Sequence, residues 1–256
     1  MSNMIIVAPM DFVGIAVGRG SGGGNLVTPD PKEVWADSSA ADAASISIDL
    51  GSARSIDTIF LGHVYGATAD AAWTIRGGIA ANDEFTIAEN APLRVPDVAG
   101  RFESMSHALR FGAAITARYL RIWVAQGAGG PPLMIGRAIV GKAFQPALNR
   151  EWGSGRKIID TGSATPLPSG GFGISEGVRK RSFAWTFGDL SEAEVDALEA
   201  VALECGETRT VLVVEDPAQT AGLRSRIHYG LFQKLTAFER RNPAQTRWEF
   251  TVEQWV

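Results

Sequence analysis

Apolar side chains recur at every second position through much of this 256-residue chain. That period makes the pleated strand the main element it can build. Ile46, Ile48 and Leu50 alternate with Ser45, Ser47 and Asp49. Leu120, Ile122 and Val124 alternate with Tyr119, Arg121 and Trp123. Phe183, Trp185 and Phe187 alternate with smaller residues, and Trp248, Phe250 and Val252, with Trp255 beyond them, repeat the pattern at the C-terminus. One stretch changes to a helical period. After Ser191, the residues Val195, Leu198, Ala202 and Cys205 share one face. Ser191 and Glu194 fit a capping box, and Gly206 is placed to end the helix. The 29 Gly and 12 Pro fall mostly between apolar runs, as turns do. The expected fold class is mainly β.

The pattern divides the chain into residues 1–145, 146–177 and 178–256. The first region reads as a series of strands: Ile5 to Ala8, Phe12 to Val17, Ser45 to Leu50, Ile56 to Val64, Trp73 to Gly77, Met105 to Phe111, Ala117 to Val124 and Leu133 to Gly141. Residues 78–102 read as irregular. Residues 146–177 are rich in Pro, Gly and Ser and show no periodicity, which fits a linker or an arm that orders on assembly. The last region reads as strand, helix (191–205) and three further strands.

A content of 45% hydrophobic and 20% charged residues is ordinary for a folded protein. A net charge of −4 gives no broad attraction to nucleic acid. The local exception, Arg179-Lys180-Arg181, reads as a solvated face or a subunit contact rather than a DNA site. Cys205 is the single cysteine, so no internal disulfide forms. Residues 1–9 lack the basic leading segment of a signal peptide, and no stretch is long and apolar enough to cross a membrane. Synthesis in a cytoplasm is expected.

No catalytic constellation is visible, and no enzyme is expected. His63, His107 and His228 lie in separate strand-like runs without metal-ligand spacing. Asp83, Glu84, Glu89 and Asp97 read as solvated turn residues, with nothing to fix the separation a glycosidase pair needs. The glycine-rich run at residues 18–24 is followed by Pro29 and Pro31, not by a helix, and so reads as a mobile surface or interface loop rather than a phosphate cradle. No cofactor or metal is implied. His63, Tyr65 and Trp73 flank one loop and could stack on a sugar; the alternation of Trp73 with Ile75 equally suits a core position. Phe183, Trp185, Phe187, Trp248, Phe250 and Trp255 suit either an intramolecular core or a subunit contact. Arg179, Arg181, Trp185, Trp248 and Trp255 are the candidate interface residues.

Two resemblances follow from these residues. Trp35-Ala36-Asp37-Ser38, Ile48-Asp49-Leu50-Gly51, Ile56-Asp57-Thr58-Ile59, Trp73-Thr74-Ile75 and Arg118-Tyr119-Leu120-Arg121-Ile122 resemble the discoidin, or galactose-binding-like, family over residues 10–145. That implies a jelly-roll β-sandwich that binds glycans, lipid head groups or proteins through loops at one end. Residues 146–256 resemble the distal tail proteins of long-tailed phages and gene transfer agents. The likeness lies in Arg181-Ser182-Phe183-Ala184-Trp185-Thr186-Phe187 before one helix, Val211-Leu212-Val213-Val214-Glu215-Asp216-Pro217 after it, Tyr229-Gly230-Leu231-Phe232, and Trp248-Glu249-Phe250-Thr251-Val252-Glu253. It implies a ring-forming β-sandwich with one α-helix. Familiar distal tail proteins place the ring domain first, and here the order is reversed.

The resemblances together imply a structural protein of a virion tail tip, one that closes into a ring and requires no chemistry. The implied partners are other copies of the chain in a hexameric ring, a tail tube protein, a baseplate hub protein and host-surface glycan, without specific nucleic-acid binding or membrane insertion. The alternative expectation is a carbohydrate-binding adhesin for which the C-terminal unit is an oligomerisation base.

Overall fold

The computed structural model describes residues 2–39, 43–81, 83–93, 105–126, 130–218, 223–233 and 235–255. The fold is mainly β, with antiparallel sheets and one α-helix. The chain forms two compact units. Unit 1 comprises Met1–Pro146 and Val211–His228, and unit 2 comprises Ala147–Thr210 and Tyr229–Val256.

Unit 1 contains β1 (Ile5–Val7), β2 (Gly14–Val17), β3 (Trp35–Ala36), β4 (Ala44–Tyr65), β5 (Ala72–Gly78), β6 (Phe85–Pro92), β7 (Met105–Ala125), β8 (Met134–Gly141) and β9 (Ala143–Phe144). The sequence suggests four separate strands where the structure has two long ones, β4 and β7. Gly51, at φ 79°, lets β4 bend where an L side chain would be strained, and the register shifts between Asp49 and Arg54. The first part of β4 pairs with β2 and with the second part of β7. Its second part pairs with β8 and with the first part of β7. Both long strands thus pass from one layer of a β-sandwich to the other. Ile46, Ile48, Leu120, Ile122, Val124 and Trp73 come from one layer; Ile59, Leu61, Ile135 and Val140 come from the other; all are buried in a single core.

The described residues between 78 and 93 hold more order than their composition suggests. β6 pairs with β5 over several bulges, and Glu84 closes their turn by accepting the N–H groups of Ile79, Ala80 and Ala81, each at 2.8 Å. Those bonds hold its carboxyl below the usual range. Asp97 and the residues from 94 to 102 lie outside the described set. The glycine-rich run is braced where a mobile loop is expected. Gly18 N–H bonds Ser45 O, Ser21 bridges Ala36, and Arg19 makes a bidentate pair with buried Asp37 at 2.6 and 2.9 Å.

Unit 1 also takes in a segment that the sequence groups with the C-terminal region. β14 (Thr210–Val214) pairs with β1, which pairs on its other side with β9. Every residue of β14 is buried, so it forms a central strand rather than an amphipathic one. Strand partners distant in sequence cannot be read from alternation alone.

Unit 2 contains β10 (Gly155–Asp160), β11 (Ser163–Pro166), β12 (Phe172–Ser175), β13 (Arg179–Leu190), α1 (Glu192–Cys205), the end of β15 (Ile227–Gln233), β16 (Glu239–Asn242) and β17 (Gln245–Gln254). The expected linker therefore contains three strands. β10 runs beside β13, while β11 and β12 form a hairpin whose loop includes Gly170 at φ 83°. β17 lies between β13 on one side and β15 and β16 on the other. On one face β13, β15 and β17 stack Phe183, Trp185, Phe187, Phe232, Trp248 and Phe250, all buried.

The capping pattern before α1 is present. Ser191 donates to Glu194 Oε2 from its N–H at 2.8 Å and from its hydroxyl at 2.6 Å, and Ala147 N–H donates to Oε1 at 2.6 Å. Burial pushes the Glu194 carboxyl up, but the Ser191 hydroxyl and the two N–H groups outweigh it, so its pKa is lowered. Glu194→Ala is expected to cost about 1 kcal/mol in a denaturant titration at neutral pH. Because the folded pKa is depressed, that stabilisation is present above the ordinary value of 4.5 and fades as pH falls through the folded value. The wild type and variant should therefore converge in acid.

Candidate functional site

The first set of sequence candidates does not form a platform. Trp73 is 2% exposed and sits in the unit 1 core beside Ile75, so its ring offers no face to a sugar. His63 is also buried, with its ring edge-on to His107 at 5.1 Å. Tyr65, at the end of β4 opposite Met105 and Met134, is half-buried. The inward side of the Trp73–Ile75 alternation decides the outcome.

The second set separates in the same way. Trp185 and Trp248 belong to the aromatic core of unit 2, at 2% and 1% exposure, and cannot contact another subunit from there. Arg179 and Arg181 are exposed on β13; Arg179 Nε lies 3.0 Å from Asp160 Oδ2. Trp255 is half-buried and lines an open groove of about 430 Å³ with Val178, Leu231 and an ion pair between Lys180 and Glu253.

A surface outside both sets carries more. Of the twelve exposed large apolar side chains among the described residues, seven lie between residues 148 and 178: Leu148, Trp152, Ile158, Leu167, Phe172, Ile174 and Val178. Phe172 and Ile174 on β12 are 64% and 74% exposed. The β11–β12 hairpin is a two-stranded sheet with no third strand among the described residues, and two strands alone bury too little to be independently stable. The absence of alternation in this segment follows from its lack of a buried face.

Unit 1 has a different surface on the outer side of the layer formed by β4, β7, β5 and β6. Here Thr74 lies opposite Trp123, and Arg76 opposite Arg121. The Arg121 guanidinium stands 4.7 Å from the Trp123 ring centre and that of Arg76 5.9 Å. Thr74, Arg76 and Trp123, but not Arg121, line a hollow of about 360 Å³ together with Ala43, Ala72, Ala125, Asp83 and Asn90. Asn90 N–H donates to Thr74 Oγ1 at 3.0 Å, leaving the hydroxyl proton free to point elsewhere. The sequence showed Arg121 and Trp123 sharing a side of their strand. It did not show that Thr74 and Arg76 stand across from them.

Among the described residues no group of three or more His, Cys, Asp or Glu could hold a metal ion, and no helix is long and apolar enough to cross a membrane.

No protein-family model matches the sequence, and no curated protein matches it either. Solved structures do. A chitosan-binding module from the chitosanase/glucanase of Paenibacillus sp. IK-5 matches with a TM-score of 0.42 and 15% identity, over 53% of this chain and 98% of that one. CpGH89CBM32-6, produced by Clostridium perfringens, matches at 0.37 and 14%, over 50% and 92%. The CBM32 of AlyQ, in complex with 4,5-unsaturated mannuronic acid, matches at 0.36 and 19%, over 52% and 97%. These likenesses concern carbohydrate-binding modules about half the length of this chain.

Proposed function

We propose that this chain is a structural subunit that self-assembles through unit 2 and displays unit 1 as a carbohydrate-binding sandwich. The observation that carries the reading is the concentration of exposed apolar side chains in residues 148–178. Exposed apolar patches of this kind mark interaction surfaces. The occupant we assign is a second copy of the chain. β10 is an edge strand, with one side of its backbone open for pairing, and the hairpin that follows it in the chain brings Phe172 and Ile174. Heterologous contacts of this type close into rings when the rotation allows. The resemblance of residues 146–256 to distal tail proteins supplies the finer setting: a hexameric ring at a virion tail tip, between tail tube and baseplate hub. The reading assigns binding and assembly to the chain, and no reaction.

Light scattering on the purified chain tests it. The wild type is expected to form a discrete oligomer at micromolar concentration. Phe172→Ser with Ile174→Ser should give a monomer of unchanged melting temperature, since neither side chain is buried in the subunit. A wild-type chain that stays monomeric at high concentration removes the reading. Electron microscopy of the oligomer then tests ring closure.

The second reading is a free-standing carbohydrate-binding adhesin. The polar and aromatic hollow around Trp123 favours it, because that surface needs no assembly to be complete. A monomer that binds saccharide would decide for it.

A further inference from the structure

We propose that the hollow around Trp123 is a binding site for a carboxylate-bearing sugar, such as a uronic acid residue within a polysaccharide. This rests on the reading of unit 1 as a carbohydrate-binding sandwich and adds the site and the class of ligand.

The first reason is electrostatic. Arg76 and Arg121 stand directly opposite each other on neighbouring strands. Like charges so placed disfavour the pairing. Asp49 shares this face of β4, but Arg118 already engages both of its oxygens at 3.0 and 3.1 Å. Among the described residues, the Nε atoms of Arg76 and Arg121 are buried and have no hydrogen-bond partner. Buried donors without an acceptor add to the cost of holding the two guanidinium groups side by side. A carboxylate suits a guanidinium best, since its two oxygens match the planar fork.

The second reason separates a sugar acid from a bare anion. Trp123 lies within the same hollow and is only half-buried, so part of its ring is available to the apolar side of a pyranose. Ala43, Ala72 and Ala125 are too short to fill the space beside it, and the volume suits a small ligand. Asp83 supplies an acceptor, while Asn90 and the Thr74 hydroxyl supply donors and acceptors, which is what a ring of hydroxyl groups needs. Asp83 can accept from sugar hydroxyls at a distance from the carboxylate, and inorganic phosphate has no such hydroxyl-bearing ring to offer it. A flat aromatic surface likewise gains nothing from an inorganic ion.

Calorimetry on the full chain can test the site with three probes: galacturonic acid oligomers, neutral galactose oligomers and inorganic phosphate. The acidic oligomers are expected to bind, at least tenfold more tightly than the neutral ones. Arg76→Gln should weaken acidic binding about tenfold, and Arg121→Gln less, since only Arg76 lines the hollow; neither should lower the melting temperature, because each removes a repelling neighbour. Trp123→Ala should weaken it further. Equal binding of neutral and acidic oligomers would overturn the ligand class while leaving the carbohydrate reading intact. Phosphate binding as tight as that of the acidic oligomers, and unaffected by Trp123→Ala, would overturn it in favour of a bare anion site. Failure of both oligomer types to bind would remove this inference and the carbohydrate reading together.

Discussion

Trp248→Ala is expected to destabilise unit 2 by about 3–5 kcal/mol, the range for emptying a large aromatic site in a core. The indole stacks on Phe250 at 4.6 Å and on Phe238 at 5.2 Å, and meets Phe232 edge-on at 6.1 Å. Its Nε1–H donates to Thr236 O at 3.1 Å. Truncation would leave a cavity among three rings and strip that carbonyl of its donor. Phe250 and Phe232 cannot close the gap easily, because their strands are fixed by the β13–β17 and β15–β17 ladders. Trp248→Phe keeps most of the volume and loses the hydrogen bond, so it should cost less, about 1–2 kcal/mol. Denaturant titration followed by tryptophan fluorescence measures both. A loss under about 1 kcal/mol for the alanine variant, well below the usual cost of such a truncation, with a change of oligomeric state, would mean that the residue serves an interface after all.

The contrast with Phe172→Ser and Ile174→Ser explains what alternation can and cannot reveal. Trp185, Trp248 and Phe172 are all aromatic residues in strands; the sequence offers the first two the core or an interface and places Phe172 in an arm without periodicity. The difference lies in how many neighbours cover the strand. β13 and β17 lie side by side with their aromatic faces aligned, so their rings cover one another. Among the described residues β12 has only β11 beside it, and its apolar side chains stay in solvent. Partner number is a property of long-range pairing, which the local pattern does not encode.

The same principle accounts for unit 1. The alternation at residues 45–50 and 119–124 marked the two faces of β4 and β7 correctly. It broke near Gly51 and Gly112, where the strands continue through register shifts instead of ending. It offered Trp73 an inward option and Trp123 an outward side, but it could not pair Arg76 with Arg121. Two basic residues on one face look like ordinary solvated charges until the register sets them opposite each other. The helix was the easiest element to read, since its capping residues Ser191 and Glu194 and its terminating Gly206 act within one turn.

A buried Glu–His contact in unit 1 yields the other large expectation: Glu215→Ala should cost about 1–3 kcal/mol, because the imidazole loses its partner in a place that water does not reach. Glu215 Oε1 lies 2.7 Å from His228 Nε2, with side-chain exposures of 4% and 3%. A neutral tautomer carrying its proton on Nε2 would donate the same bond, so Glu215→Gln, which keeps an acceptor oxygen, should cost less than Glu215→Ala. A second histidine nearby constrains the first. His107 is held neutral, its pKa pushed down to about 3 by burial first and then by His63 and His228. Its Nδ1 accepts the His63 N–H at 3.1 Å, so the proton of the neutral ring sits on Nε2. A folded value below the ordinary 6.5 means that this stabilisation is complete above pH 6.5 and is lost as pH falls towards 3. Thermal melts across that window should show the wild type weakening in acid. His107→Gln, whose side-chain oxygen can still accept from His63 without gaining a charge, should flatten the slope. An unchanged slope in that variant would place the acid sensitivity elsewhere, and a Glu215→Ala chain as stable as the wild type would show that the buried pair contributes nothing net.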